Sequence, residues 1–228
     1  MTDFKRYGIY MVPEGDFYRA GADWLGWDSV AAQRCTQPAL AGLPQDAAAI
    51  TATPRKYGLH ATIKPPFRLA QGKSARDLDQ AARAFCGTMA PVTIPALEIR
   101  RLGGFVAALP ATPNAGLQAL AAAAVRDLDP FRAPLTEAEI ARRRTSRLTP
   151  RQEALLAQWG YPHVMEEFRF HITLSGSLPP PEADRLRDIL AAHFAPVLPR
   201  PCVIDSLCLM GEDHDGLFHL VHRYALSG

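Results

Sequence analysis

The sequence predicts an α+β fold: two β-α-β-β lobes with antiparallel sheets around a central groove, and a helical insertion near residues 130–165. Three observations carry this. From Gly58 the chain reads strand, helix, strand, strand, and from Phe168 it reads the same order again. Shifting the first unit by 111 residues lays His60 on His171, Thr62 on Thr173, and Val92–Leu97 on Val203–Cys208, the mark of an internal duplication. Both units also open with an alternating segment that carries His-x-Thr on its polar side. The repeats run about 57–110 and 167–225, so residues 1–228 read as one bilobal domain.

The elements follow in order. Met1 to Arg6 is polar and leads into a strand at Tyr7–Val12, so no signal peptide is expected. Asp16 to Ala32 has helical character, weakened by Gly21 and Gly26. Gly58–Lys64 is the first motif strand. Ser74 caps a helix to about Gly87 with Leu78, Ala82 and Phe85 on one face. Strands at Val92–Ile99 and Gly104–Leu109 complete the first unit. The Ala/Leu stretch Gly116–Asp129 is helical and must stop by Pro130. Thr136-Glu137-Ala138-Glu139 and Thr149-Pro150-Arg151-Gln152 are capping boxes, the first opening a short basic helix through Arg144, the second a helix that stops at Gly160. Phe168–Ser175, a helix at Pro181–Phe194, and strands at Val203–Met210 and Leu217–Tyr224 complete the second unit.

Composition narrows the function. The chain is 48% hydrophobic and 21% charged, and 25 Lys+Arg against 23 Asp+Glu leave a net charge of +2. That is too balanced for holding nucleic acid by bulk charge, so DNA is not an expected partner. Cys35, Cys86, Cys202 and Cys208 form no C-x-x-C pair and read as buried, reduced thiols. The longest apolar run, around Leu117 to Val125, is far too short to span a bilayer. A cytoplasmic monomer without membrane association is expected.

In the first motif strand, Tyr57, Leu59, Ala61 and Ile63 alternate with His60, Thr62 and Lys64. In the second, Phe168, Phe170, Ile172 and Leu174 alternate with Arg169, His171, Thr173 and Ser175. The apolar sides belong to the core. Each polar side presents an imidazole and a hydroxyl about 6.6 Å apart along the strand. One imidazole can take a proton from water while the other gives a proton to a departing oxygen. The two Thr hydroxyls can donate to a phosphate, and Lys64 or Arg169 can offset its charge. With 19 Ser+Thr and seven His in 228 residues, chance supplies about 0.6 His-x-Ser/Thr motifs. Two of them, at one place in a duplicated unit, are harder to assign to chance. The plainer alternative is a solvated sheet face.

Paired H-x-[ST] strands in a duplicated β-α-β-β frame resemble the two-histidine (2H) phosphoesterase superfamily, which includes the LigT-like RNA 2′,3′-cyclic phosphodiesterases. Further segments are similar to one branch, an uncharacterised family encoded among bacterial phosphonate-utilisation genes. They are Arg6-Tyr7-Gly8-Ile9-Tyr10, Trp24-Leu25-Gly26, the run from Pro54 to Phe67, and Phe131-Arg132-Ala133-Pro134-Leu135. Trp159-Gly160-Tyr161-Pro162 and the run from Phe168 to Leu174 complete the set. The resemblance covers essentially the whole chain. It implies the two-lobed fold, acid and base roles for His60 and His171, and phosphate contacts for Thr62 and Thr173. It does not supply a substrate.

The expectation is therefore a metal-independent hydrolase of a small cyclic phosphodiester, either a 2′,3′-cyclic nucleotide or a ribose cyclic phosphate, in phosphonate catabolism. RNA-end ligation or cyclisation, with short RNA ends as partner, is one alternative; a phosphate-binding protein without turnover is another. Lys64, Arg169, Ser175 and the cluster Arg142-Arg143-Arg144 are candidate substrate contacts. Arg147 and Arg151 extend that cluster, whose plainer reading is a solvated helix face. Tyr57 is assigned to the core, and Arg68 is a weak rim candidate. His214, His219 and His222 lack metal-site spacing, and neither G-x-x-x-x-G-K-[ST] nor G-x-G-x-x-G occurs. No metal and no cofactor are expected.

Overall fold

The computed structural model describes residues 4–145 and 147–228. Met1–Asp3, the head of the polar leader, and Ser146, within the insertion, lie outside the described residues. The strands are β1 (Arg6–Met11), β2 (Trp27–Asp28), β3 (Gln33–Arg34), β4 (Ala61–Phe67), β5 (Val92–Ile94), β6 (Leu97–Leu102) and β7 (Phe105–Pro110), then β8 (Ile172–Thr173), β9 (Cys202–Ile204), β10 (Ser206–Glu212) and β11 (Phe218–Ala225). Seven form one sheet in the order β11-β10-β1-β4-β8-β7-β6, and β2-β3 and β5-β9 are separate two-stranded pairs. Every strand pair is antiparallel.

The duplication appears as a local two-fold. β4 and β8 pair through Ala61 and Ile172, two residues that the 111-residue shift superposes. β5 and β9 pair with Thr93 opposite Val203, one residue off that shift. Like strands can meet like strands only across a local two-fold.

The repeats differ from two contiguous lobes, because they exchange hairpins. β8, from the second repeat, lies against the β6-β7 hairpin of the first. β4 lies in the half of the sheet that holds β10 and β11, with β1 between. The helices follow the same exchange: α3 (Ala75–Gly87) packs on β10 and β11, and α7 (Pro180–Phe194) on β6 and β7. β1 takes the slot beside β4 that β7 takes beside β8, which leaves β11 outermost.

Local sequence explains the element ends. Ser74 and Asp77 form a capping box at the start of α3, an arrangement worth about 1 kcal/mol. α1 (Gly15–Leu25) stops seven residues before the expected end, because Gly26 adopts φ +79° and the chain turns into the β2-β3 ribbon. Gly21 is a close approach: a Cβ there would lie 2.3 Å from the Leu59 side chain, so α1 packs directly on the segment that carries His60. Pro95, with no N–H to donate, separates β5 from β6, and Asp205 separates β9 from β10.

α4 (Ala115–Asp127) leads into the insertion, which holds α5 (Glu137–Arg143) and α6 (Pro150–Trp159). Both expected capping boxes are present, at Thr136–Glu139 and Thr149–Gln152. Val125, Leu155 and Val164 make a small core of their own beneath Trp159 and Tyr161, so the insertion is anchored as a packed unit. Among the described residues no helix is long and apolar enough to cross a membrane.

Candidate active site

Alternation positions the motif residues. Leu59, Ala61, Ile63, Phe170, Ile172 and Leu174 are all buried, and the intervening His60, Thr62, His171 and Thr173 line one groove of about 1010 Å³. Regular pairing on the second motif segment covers only Ile172 and Thr173, shorter than the expected Phe168–Ser175, since β8 shares one residue couple with β4 and two with β7. The antiparallel register around Ala61 and Ile172 sets His60 opposite Thr173 and Thr62 opposite His171. Directly opposed side chains in such a register stand about 5 Å apart at Cβ.

The two imidazoles are held alike. His60 Nδ1 lies 2.9 Å from the Gly58 carbonyl, and His171 Nδ1 lies 2.7 Å from the Arg169 carbonyl. A carbonyl only accepts, so each Nδ1 carries the hydrogen and each neutral ring keeps Nε2 as its free acceptor. In both cases the partner is the carbonyl two residues back, a local geometry that each repeat builds for itself. Thr62 Oγ1 is 3.1 Å from His60 Nε2 and donates to it in this tautomer. Thr173 has no such bond among the described residues.

Their surroundings differ. His60 is only 9% exposed, stacked on Tyr10 at 4.1 Å between ring centroids, with Tyr57 at 5.7 Å. Burial pushes its pKa down to about 4, against the pull of the Gly58 carbonyl, and the His171 charge lowers it further. His171 is half-buried, 5.7 Å from the Phe105 ring. Its pKa is also lowered, first by burial and then by nearby His163, with the Arg169 carbonyl opposing.

The remaining candidates divide. Arg142, Arg143 and Arg169 line the groove. Ser175 lines it as well, but its hydroxyl accepts from Val106 N at 2.9 Å and donates to Gly176 O at 2.8 Å, so it fastens the segment after β8 to β7. Lys64 is 2% exposed and turned away from the groove. It donates to Val125 O at 2.9 Å, in the last turn of α4, and approaches Asp129 at 3.4 Å, a favourable place for a cation. The cause is a bulge: Tyr10 pairs with Thr62 while Ile9 pairs with Lys64, so β4 carries an extra residue and alternation breaks after Thr62.

Arg144 faces outward and pairs with Glu153 at 2.7 Å. Arg151 pairs with Glu166, Arg147 is exposed, and Arg68 pairs with Glu139 at 2.9 Å instead of reaching the groove. Tyr57 packs against the core as expected, stacked on Phe218 at 5.0 Å, and also forms part of the groove wall. Residues Pro54–Tyr57 form a 3-10 turn and Gly58 has φ +72°, so strand alternation has not begun at Tyr57. His219 bonds Asp213 at 2.6 Å, and His222 stacks on Tyr224, away from it. Sequence reasoning missed Tyr10, Tyr161, Arg6 and His163, all of which line the groove. They come from β1 and the insertion, and no spacing ties them to His-x-Thr.

Residues 62–219 match the model of a family described as "Protein of unknown function (DUF1045)", and the chain belongs to that family. Two curated relatives share the name Ribose 1,5-bisphosphate phosphokinase PhnN. The protein from Janthinobacterium sp. (strain Marseille) is 38% identical over 218 residues, covering 92% of this chain and 48% of its own length. The protein from Laribacter hongkongensis (strain HLHK9) is 33% identical over 220 residues, covering 92% and 49%. The chain thus spans about half the length of the curated relatives it matches. Among solved structures, E. coli LigT complexed with 3′-AMP is similar over 99% of this chain and 100% of that one, at 14% identity and a TM-score of 0.48.

Proposed function

We propose that the chain is a metal-independent phosphoesterase that opens a small cyclic phosphodiester, a ribose cyclic phosphate in the first place and a 2′,3′-cyclic nucleotide in the second. One observation carries the reading: two imidazoles, each with Nδ1–H held by the carbonyl two residues back, share a groove with two Thr hydroxyls. In the proposed step a water oxygen attacks phosphorus and its proton passes to His60 Nε2. The P–O bond of the ring breaks, and the leaving oxygen takes the Nε2 proton of His171, which enters the step as the imidazolium with Nδ1–H still on the Arg169 carbonyl. Solvent then exchanges the two protonation states back. Thr173 and Thr62 donate to the non-bridging oxygens, Thr62 turning from His60 once that ring is protonated.

The assignment of base and acid follows from burial. His60, buried and held at about 4, is neutral across the working range, while His171 is only half-buried and stands nearer to solvent. The ribose phosphate in the relatives' name favours a ribose cyclic phosphate, and a place in phosphonate catabolism follows from the sequence resemblance. The phosphokinase activity in that name is not carried over: it describes proteins about twice as long, and this sequence has no phosphate-loop motif.

Phosphorus NMR in the presence of chelator tests the reading with both substrate types. Ring opening by the natural chain, reduced at least ~10³-fold in His60→Ala and in His171→Ala, is expected. Binding without turnover of either substrate would move the protein to a non-catalytic phosphate binder.

A further inference from the structure

We propose that the end of the groove between β1 and the insertion is a second phosphoryl-binding subsite, so that the substrate carries a phosphomonoester in addition to its cyclic phosphodiester. The inference rests on the proposed function only for the identity of the first phosphate. The observations behind it are a cation without a carboxylate and a buried donor without an acceptor, both in the lining of this groove.

The cation is Arg143. Three arginines around it are neutralised, Arg144 by Glu153, Arg151 by Glu166 and Arg132 by Asp129, while Arg142, exposed and also on the groove, adds a second cation with no ion pair among the described residues. Arg143 is half-buried at the groove, donates Nε to Gly160 O at 2.9 Å, and lies over the Tyr161 ring at 5.3 Å. Among the described residues it has no carboxylate within ion-pair distance. A guanidinium stays charged even when desolvated, so this charge faces the groove uncompensated. The carbonyl and the ring fix its plane, which leaves the terminal nitrogens to make a forked contact with phosphate oxygens.

The donor is Tyr10. Its side chain is 0% exposed, and its hydroxyl has no hydrogen-bond partner. Burial raises its pKa well above the usual phenol range, so it keeps its proton. A buried hydroxyl left without a partner costs on the order of 1–3 kcal/mol, which a ligand oxygen would recover. The ring is stacked on His60 and lines the same groove. Gly8 preserves this placement, since a Cβ there would lie 2.9 Å from the Tyr10 ring. Arg6, neutralised by Glu212, completes the wall. Glu167, the carboxylate that lines the groove, is already bonded by Gln152 at 3.0 Å. The groove, about 1010 Å³, lies at the upper end of small-molecule sites, roomy for one cyclic phosphate ring.

Calorimetry on the full chain with inorganic phosphate, ribose 5-phosphate and ribose 1,5-bisphosphate tests the inference, and because it measures binding it stands apart from turnover. The bisphosphate should bind at least ~10-fold more tightly than either monophosphate. Arg143→Gln should abolish that advantage with inorganic phosphate affinity retained at the His-x-Thr site. Tyr10→Phe, which removes one oxygen and little packing, should reduce the advantage ~3–10-fold. Equal affinity for bisphosphate and monophosphates in the natural chain would overturn the proposal. So would an Arg143→Gln variant that weakens all three ligands in proportion. The binding pattern together with no turnover of any cyclic substrate would retain the subsite and reject the catalytic reading.

Discussion

The two His-x-Thr segments begin from the same local geometry and end in different environments. Each ring hands Nδ1–H to the carbonyl two residues back, a bond that depends only on the segment itself. What surrounds each ring comes from elsewhere. β1 brings Tyr10 against His60 and the turn at 54–57 brings Tyr57, while the outer edge of His171 meets Phe105 and the insertion. Duplication supplies a symmetric pair, and distant elements make it unequal. An acid and a base need such inequality, because identical imidazoles in identical settings would hold the same proton state.

The threonines give the largest effect by which the comparison can be broken. Thr173 is free to hold a phosphate oxygen, whereas Thr62 is engaged with His60 Nε2 in the resting site. Thr173→Val should therefore raise KM and lower kcat/KM by about 10²-fold, as for the loss of one oxyanion donor. Thr62→Val should lower kcat more than it raises KM, and it should also raise the His60 pKa by freeing Nε2. Steady-state kinetics on the ring-opening reaction separates the two. Equal effects in both variants would mean that the threonines act alike and the asymmetry is ornamental.

Stability effects come next. Lys64→Ala leaves a void and an unpaired Val125 carbonyl, at a cost of about 2–4 kcal/mol, and denaturant unfolding should register this with KM unchanged. Arg144→Ala, on the outer face of the same region, should leave both quantities where they are. His60 adds a pH dependence. The unfolded chain binds a proton there near 6.5 and the folded chain only near 4. Its contribution is therefore fully present above about 6.5 and is lost as pH falls toward 4. His60→Gln should flatten unfolding free energy across that window.

These differences also mark what was legible in the sequence. The motif strands were, because period-2 alternation and a constant shift are both visible in one chain. So were the helix starts at Ser74, Thr136 and Thr149, where the cap is chemically self-contained. Lys64 was misplaced because a bulge is a property of the pairing with β1 and not of β4 alone. Tyr57 packs on the core but also reaches the groove, because Gly58 ends a turn where strand alternation looks continuous. The hairpin exchange was hidden, since element order is the same whether repeats stay apart or swap partners. Tyr10 and Arg143 were separable from packing and surface residues only once their missing partners were known.

The most direct test of the central claim is an NMR titration of the two imidazole rings in the ligand-free chain, following ring nitrogen shifts from pH 3.5 to 8. The more open His171 is expected to titrate before the buried His60, below its ordinary value, with His60 neutral down to about pH 4 and both rings in the Nδ1–H tautomer. Titration of His60 at or above His171, or an Nε2–H tautomer in either ring, would contradict the division into a buried base and a more open acid.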